Sequence, residues 1–153
     1  MQSLELKIPP PIVALTTAAL MWFAASMVPP FALPDTLRVG LALALAITGI
    51  SLDLTGLIAF VRAKTTINPL KPASSAVLVT GGLYRLTRNP MYLGMLLVLL
   101  GWAVFLSSLA SLLVAPLFVF YINRFQIAPE ERVLEEKFGA VFRDYTQRVR
   151  RWL

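Results

Sequence analysis

The sequence predicts an all-α, polytopic membrane protein with four transmembrane helices, a cytoplasmic loop and an amphipathic C-terminal helical tail. Three observations carry this. The chain of 153 residues is 58% hydrophobic with a mean hydropathy of +0.73, far above a soluble domain. Its apolar residues fall into four runs, about 12–28, 37–61, 90–106 and 111–125, set apart by proline, glycine or charge. Four crossings would put both termini and the long polar loop on one side, and the basic residues gather in those same segments.

Ile12 to Val28 is the first run; at 1.5 Å per residue it is about 25 Å long, enough to cross. Pro29, Pro30 and Pro34 end it in a tight outer turn, with Trp22 and Phe31 towards that interface. Leu37 to Val61 is the second. Gly40, Gly49 and Gly56 permit close helix approach, and Ala42, Ala44 and Ala46 keep it thin. Asp53 lies inside this run, where a carboxylate costs about 2.5–3.5 kcal/mol, so it must face protein or water. We read it as a buried polar link to Thr16, Thr17 or another helix, ahead of contact with a ligand. Residues 62–87 form a long polar connection with loop chemistry at Asn68-Pro69, Lys71-Pro72 and Gly81-Gly82, and a short extended piece at Val77-Leu78-Val79. Loops of this length are more often functional than idle, and Gly81-Gly82 would let backbone come close to a ligand.

The third and fourth runs are joined by Ser107, Ser108, Leu109 and Ala110, which demands a tight antiparallel hairpin. Pro116 should kink the fourth helix. Pro129-Glu130-Glu131 reads as a fresh helix start, with acids in its first turn. Beyond it Leu134, Phe138, Val141, Phe142, Tyr145, Val149 and Trp152 recur at helical steps opposite a charged face, with Gly139 breaking the run. This tail lies on the inner membrane surface or against the loop. The whole reads as one domain, 1–153.

The chain has no cysteine and no histidine. Disulfides, thiolate nucleophiles and Cys or His metal ligands are therefore excluded, and no metal site is expected. Any chemistry must use carboxylates, tyrosine, amides, backbone or a borrowed cofactor. The net charge is +6, but Asn89 to Asn123 carries none of it. Nucleic acid is not implied. The positive-inside rule accounts for the basic clusters and puts the chain in the inner (cytoplasmic) membrane with both termini cytoplasmic.

The stretch Arg88-Asn89-Pro90-Met91-Tyr92-Leu93-Gly94 sits where the basic loop meets the third apolar run. Asn89 suits a helix cap and Pro90 the first helical position. The free N–H groups of such an end attract anions, so a ligand pocket at the water–lipid boundary is an alternative to a plain capped helix.

With the preceding Leu78-Val79-Thr80-Gly81-Gly82-Leu83-Tyr84 and the later Glu130-Glu131 and FG…Y…V.R spacing, this stretch resembles the isoprenylcysteine carboxyl methyltransferase family and its wider kin, the phospholipid methyltransferases. The likeness covers about Thr66 to Arg150. It implies S-adenosylmethionine as methyl donor and a cofactor region of about 66–94 and 124–150. By position it implies that Leu78, Val79, Tyr84, Asn89, Pro90, Tyr92 and Glu130 bind the cofactor. Tyr92 and Arg124 are candidates for catalysis, and Arg124 and Gln126 for substrate binding. The family often has histidine at Asn89, and relatives acting on prenylcysteine carry arginine at Gln126; Arg124 could substitute. From the residues alone, Glu130 reads as compensation of a helix dipole. The implied acceptor is a lipophilic small molecule or lipid-modified substrate. The alternatives are an NADPH-dependent membrane reductase and a non-catalytic membrane scaffold, and the glycine-lined second run could pack against another copy in a homo-oligomer.

Overall fold

A computed structural model describes residues 5–66, 70 and 72–153. Asn68, Pro69 and Lys71, used in reading the loop, lie outside the described residues. The helices are α1 (Pro10–Ser26), α2 (Asp35–Arg62), α3 (Pro90–Phe105), α4 (Leu109–Ile122), α5 (Ala128–Phe138) and α6 (Ala140–Arg148). Short 3₁₀ turns occupy Pro72–Ser74 and Gly82–Arg85, and a π turn occupies Asn123–Ile127. No strand is found among the described residues; Val77–Val79 pairs with nothing in a ladder. Among them, two helices are long and apolar enough to cross a membrane, Asp35–Arg62 and a continuous Leu109–Phe138. The apolar helices α1 and α3 are shorter.

Helix α3 is central. Apolar faces gain little from leaving lipid for one another, so close approach and buried polar bonds must hold such a bundle. Both are present. Helix α2 lies almost backbone to backbone on α3: a Cβ on Gly49 would stand 2.5 Å from the Gly94 carbonyl oxygen, and one on Gly101 would stand 2.9 Å from that of Ala42. Gly40 takes no part, since it faces open space. Two side chains tie α1 to the α3–α4 hairpin: Trp102 Nε1 donates to the Ala18 carbonyl at 3.1 Å and Ser111 Oγ to that of Met21 at 2.7 Å. The core between these helices is filled by Met21, Leu99, Phe118 and Ile122. The hairpin is tighter than the sequence suggests. Only Leu106–Ser108 is non-helical, with Ser107 at φ +50° and Ser108 Oγ capping α4.

Three expectations are corrected. The fourth helix does not stop before Pro129. It widens into the π turn at Asn123–Ile127 and runs on as α5, because proline is tolerated where its missing N–H falls in the widened turn. Asp53 has no link to Thr16 or Thr17, whose hydroxyls donate to Ile12 and Val13 in their own helix. The Asp53 carboxyl instead lies where a Gly94 side chain would be, and its Oδ1 is buried without a hydrogen-bond partner. Val141 is 63% exposed and does not share the apolar face of the tail. Gly139, at φ +54°, separates α5 from α6 and changes the direction of that face.

Candidate functional site: a cavity between the loop, the start of α3 and the tail

The loop is folded back on α2 by Thr65, whose hydroxyl accepts from the N–H groups of Ala76 at 2.8 Å and Val77 at 3.4 Å. That turn brings Val77, Leu78 and Val79 beside the end of α2. Gly82, at φ +60°, then starts the 3₁₀ turn that buries Tyr84 edge-on against Phe60, ring centroids 5.6 Å apart.

The tail closes over this loop through hydrogen bonds. Tyr145 Oη donates to the Tyr84 carbonyl at 2.7 Å, and the Arg88 N–H to the Arg150 carbonyl at 3.0 Å. Asn89 stands at the N-cap of α3 but its side chain does not cap. Its Nδ2 donates to the Arg151 carbonyl at 2.9 Å, so the tail takes the amide that the sequence offered to the helix. The Thr87 hydroxyl takes the capping-like bond, accepting from the Asn89 N–H at 3.2 Å.

These elements enclose a cavity of about 290 Å³, near the lower end of small-molecule sites. Leu78, Val79 and Tyr84 form its loop wall, and Asn89, Met91, Tyr92 and Met95 its α3 wall. Ile127, Glu130 and Leu134 close it from the helix that continues α4, Phe142 and Tyr145 from α6, and Pro10 and Pro11 from the start of α1. The surroundings are apolar and aromatic, with few polar groups.

Glu130 and Glu131 are neighbours in sequence with different partners. Glu131 is saturated: it pairs with Arg88 at 3.1 Å and with Arg151 at 2.5 Å, clamping the tail to the start of α3. Glu130 has no cationic partner among the described residues and accepts from the Tyr92 hydroxyl at 3.3 Å. It lies in the charged part of its helix, past Arg124. Desolvation pushes its carboxyl up to about 7; the Tyr92 bond draws it down and the charge of Glu131 adds to the rise. Burial raises the Tyr84 hydroxyl as well, with the Glu130 charge contributing. Burial takes Tyr145 to about 12 against the pull of Arg88. Because the helix runs unbroken through Ala128, Glu130 faces no free N–H groups of a helix start, and dipole compensation does not explain it.

Of the residues singled out from sequence, Leu78, Val79, Tyr84, Asn89, Tyr92 and Glu130 therefore share one cavity. Pro90 is buried in the first turn of α3, off the cavity wall. Arg124 and Gln126 point elsewhere: Arg124 Nη1 meets Glu5 at 2.7 Å, and Gln126, 1% exposed, donates through Nε2 to the Ile8 carbonyl at 2.7 Å. Phe60 and Met95 line the cavity without having been singled out, and Arg88 and Met91, named only as members of the motif, line it too. Phe142 and Tyr145 had a visible signal, their place on the apolar face of the tail.

The chain matches the family described as phospholipid methyltransferase over residues 37–141. It is also 51% identical over 63 residues to an uncharacterized protein of Haemophilus influenzae, a stretch that is 41% of this chain and 100% of that protein. No solved structure matches the chain. The matched stretch runs from α2 to the start of α6 and holds most of the cavity wall, including Tyr92 and Glu130, and it exceeds half of the chain: the protein belongs to the phospholipid methyltransferase family, a family of membrane methyltransferases.

Proposed function

We propose that this chain is an integral membrane, S-adenosylmethionine-dependent methyltransferase that acts on a lipophilic acceptor. It crosses the inner membrane four times, with its loop and both termini on the cytoplasmic side. One observation carries the reading. Two segments far apart in sequence, the loop with the start of α3 and the first turns of α5, meet around one cavity that holds a carboxylate with no cationic partner among the described residues.

The residues suit a donor that is both cationic and aromatic. Leu78, Val79 and Tyr84 offer a flat apolar wall for a base. Glu130 offers a negative charge, and the Tyr92 and Tyr145 rings offer π faces to a sulfonium. When bound, S-adenosylmethionine would supply a methyl group activated for in-line displacement. The chain's own part is to hold donor and acceptor in line, an effect worth up to about 7–11 kcal/mol, and to keep water out behind Phe142, Tyr145 and the loop. No general base is needed for a carboxylate or thiolate acceptor, so the absence of histidine is no obstacle. The acceptor arrives from the bilayer and the donor from the cytosol.

Calorimetry on the purified protein in detergent tests this. S-adenosylmethionine should bind and NADPH should not compete. Glu130→Ala and Tyr92→Ala should each weaken binding about tenfold or more, the loss of a charged or buried hydrogen-bonding group. Unchanged affinity in both variants would end the proposal. Transfer of labelled methyl groups into membrane extracts would then identify the acceptor.

A further inference from the structure

Residues 5–11, outside the stretch matched to the family, are gripped in an unusual way. Three successive residues of the π turn each hold one of them. Arg124 pairs with the Glu5 carboxylate at 2.7 Å, the Phe125 carbonyl accepts from the Leu6 N–H at 2.9 Å, and Gln126 donates to the Ile8 carbonyl at 2.7 Å. Arg132, from α5, meets the other oxygen of Glu5. Past these contacts the segment becomes Pro9-Pro10-Pro11, whose fixed φ angles make it stiff, and Pro10 and Pro11 form part of the cavity wall.

The grip is uneven. Gln126 is deeply buried, but the side chains of Arg124 and Arg132 are 39% and 56% exposed, so the outer clasp is within reach of solvent. Leu6 sits at φ +54°, a left-handed conformation that a leucine holds only under constraint. The constraint is the clasp on either side of it. The hydrogen bond from Arg124 holds the Glu5 carboxyl below its ordinary value; desolvation opposes this and the charge of Arg132 adds to it.

We infer that residues 5–11 are a latch: a strap that forms one wall of the cavity and swings away when Glu5 lets go of Arg124 and Arg132. Releasing the clasp lets Leu6 relax out of its left-handed state. The proline run carries the motion into the first turn of α1, where Pro10 and Pro11 draw back from the cavity wall and open it. Ile127, next in the π turn, and Glu130, three residues further on, both line the cavity. Strap and ligand therefore bear on the same turn of one helix. The latch rests on the proposed function only for what passes through it.

The chain has no cysteine, so a single introduced thiol reports alone. Met95→Cys places it on the cavity wall. Its rate of modification by an uncharged maleimide, in detergent, reads opening. Glu5→Gln should raise that rate about fivefold, the factor for losing a partly exposed ion pair. The double variant Arg124→Gln/Arg132→Gln should do the same, and combining it with Glu5→Gln should add nothing. A second reporter, Ala103→Cys, sits fully buried in the core away from the cavity and should not respond. An unchanged rate at Met95→Cys overturns the latch. So does an equal rise at both reporters, which would make the strap a brace for the whole bundle. If Glu5→Gln does not fold, raising the salt concentration on the otherwise native Met95→Cys protein serves instead: the rate should climb as the clasp is screened, and a flat response overturns the proposal. None of this requires a bound cofactor. Protection of the Met95→Cys thiol by S-adenosylmethionine reads the proposed function separately.

Discussion

At the scale of single residues, Glu130 and Asp53 are carboxylates with no ion pair among the described residues. Burial pushes the Glu130 carboxyl up to about 7, and the group lines the cavity. A cationic ligand needs it ionised, so affinity for the proposed donor, S-adenosylmethionine, should rise between about pH 6 and pH 8, read by calorimetry across that range. Glu130→Gln should abolish the pH dependence and weaken binding roughly 10- to 100-fold. Tyr92→Phe removes the bond that draws the Glu130 carboxyl down, so it should move the midpoint to higher pH. In the empty protein the sign is reversed. An acid raised above its unfolded value holds its proton longer when folded, so it subtracts stability as pH rises from the ordinary carboxylate range through 7. Asp53 has its Oδ1 buried and unpartnered in α2. Asp53→Asn removes a charge that costs about 2.5–3.5 kcal/mol at membrane depth, and should unfold in detergent at a temperature equal to or above the native chain.

At the scale of elements, the contact between α2 and α3 is set by glycine. A Cβ on Gly94 would collide with the Asp53 carboxyl and come within 2.5 Å of the Gly49 carbonyl oxygen. Gly94→Ala should therefore cost about 1–3 kcal/mol, seen as a lowered thermal transition in detergent. Adding Asp53→Ala should restore only part of that loss, since the Gly49 backbone cannot yield. Helix positions, the hairpin and the loop could be read from proline, glycine and hydropathy, because those signals are local. The π turn could not. Asn123–Ile127 contains ordinary helix-compatible residues, and the segment its side chains hold lies more than a hundred residues earlier. Arg124 and Gln126 drew attention through resemblance; their partners, Glu5 and Ile8, carried no pattern to announce them. The same limit applies to Asn89, read as a cap until the tail competes for its amide.

For the molecule as a whole, the cavity residues were legible as a set because their chemistry lies in short runs on either side of the α3–α4 hairpin, and the hairpin has to bring those runs together. The proposed four-span topology can be checked. With four crossings, a membrane-impermeant thiol reagent added to intact cells should modify Phe31→Cys and spare Arg148→Cys, with the pattern completed on lysis. Modification of both from outside would remove the four-span arrangement. The unbroken helix from Leu109 to Phe138 has a mechanical consequence. At 1.5 Å per residue it is a rod about 45 Å long, and it carries Glu130 beyond its apolar part. A tilt of that rod about its packed part, Phe118 and Ile122, would carry Glu130 with it, so the helix is a lever between the core and the cavity.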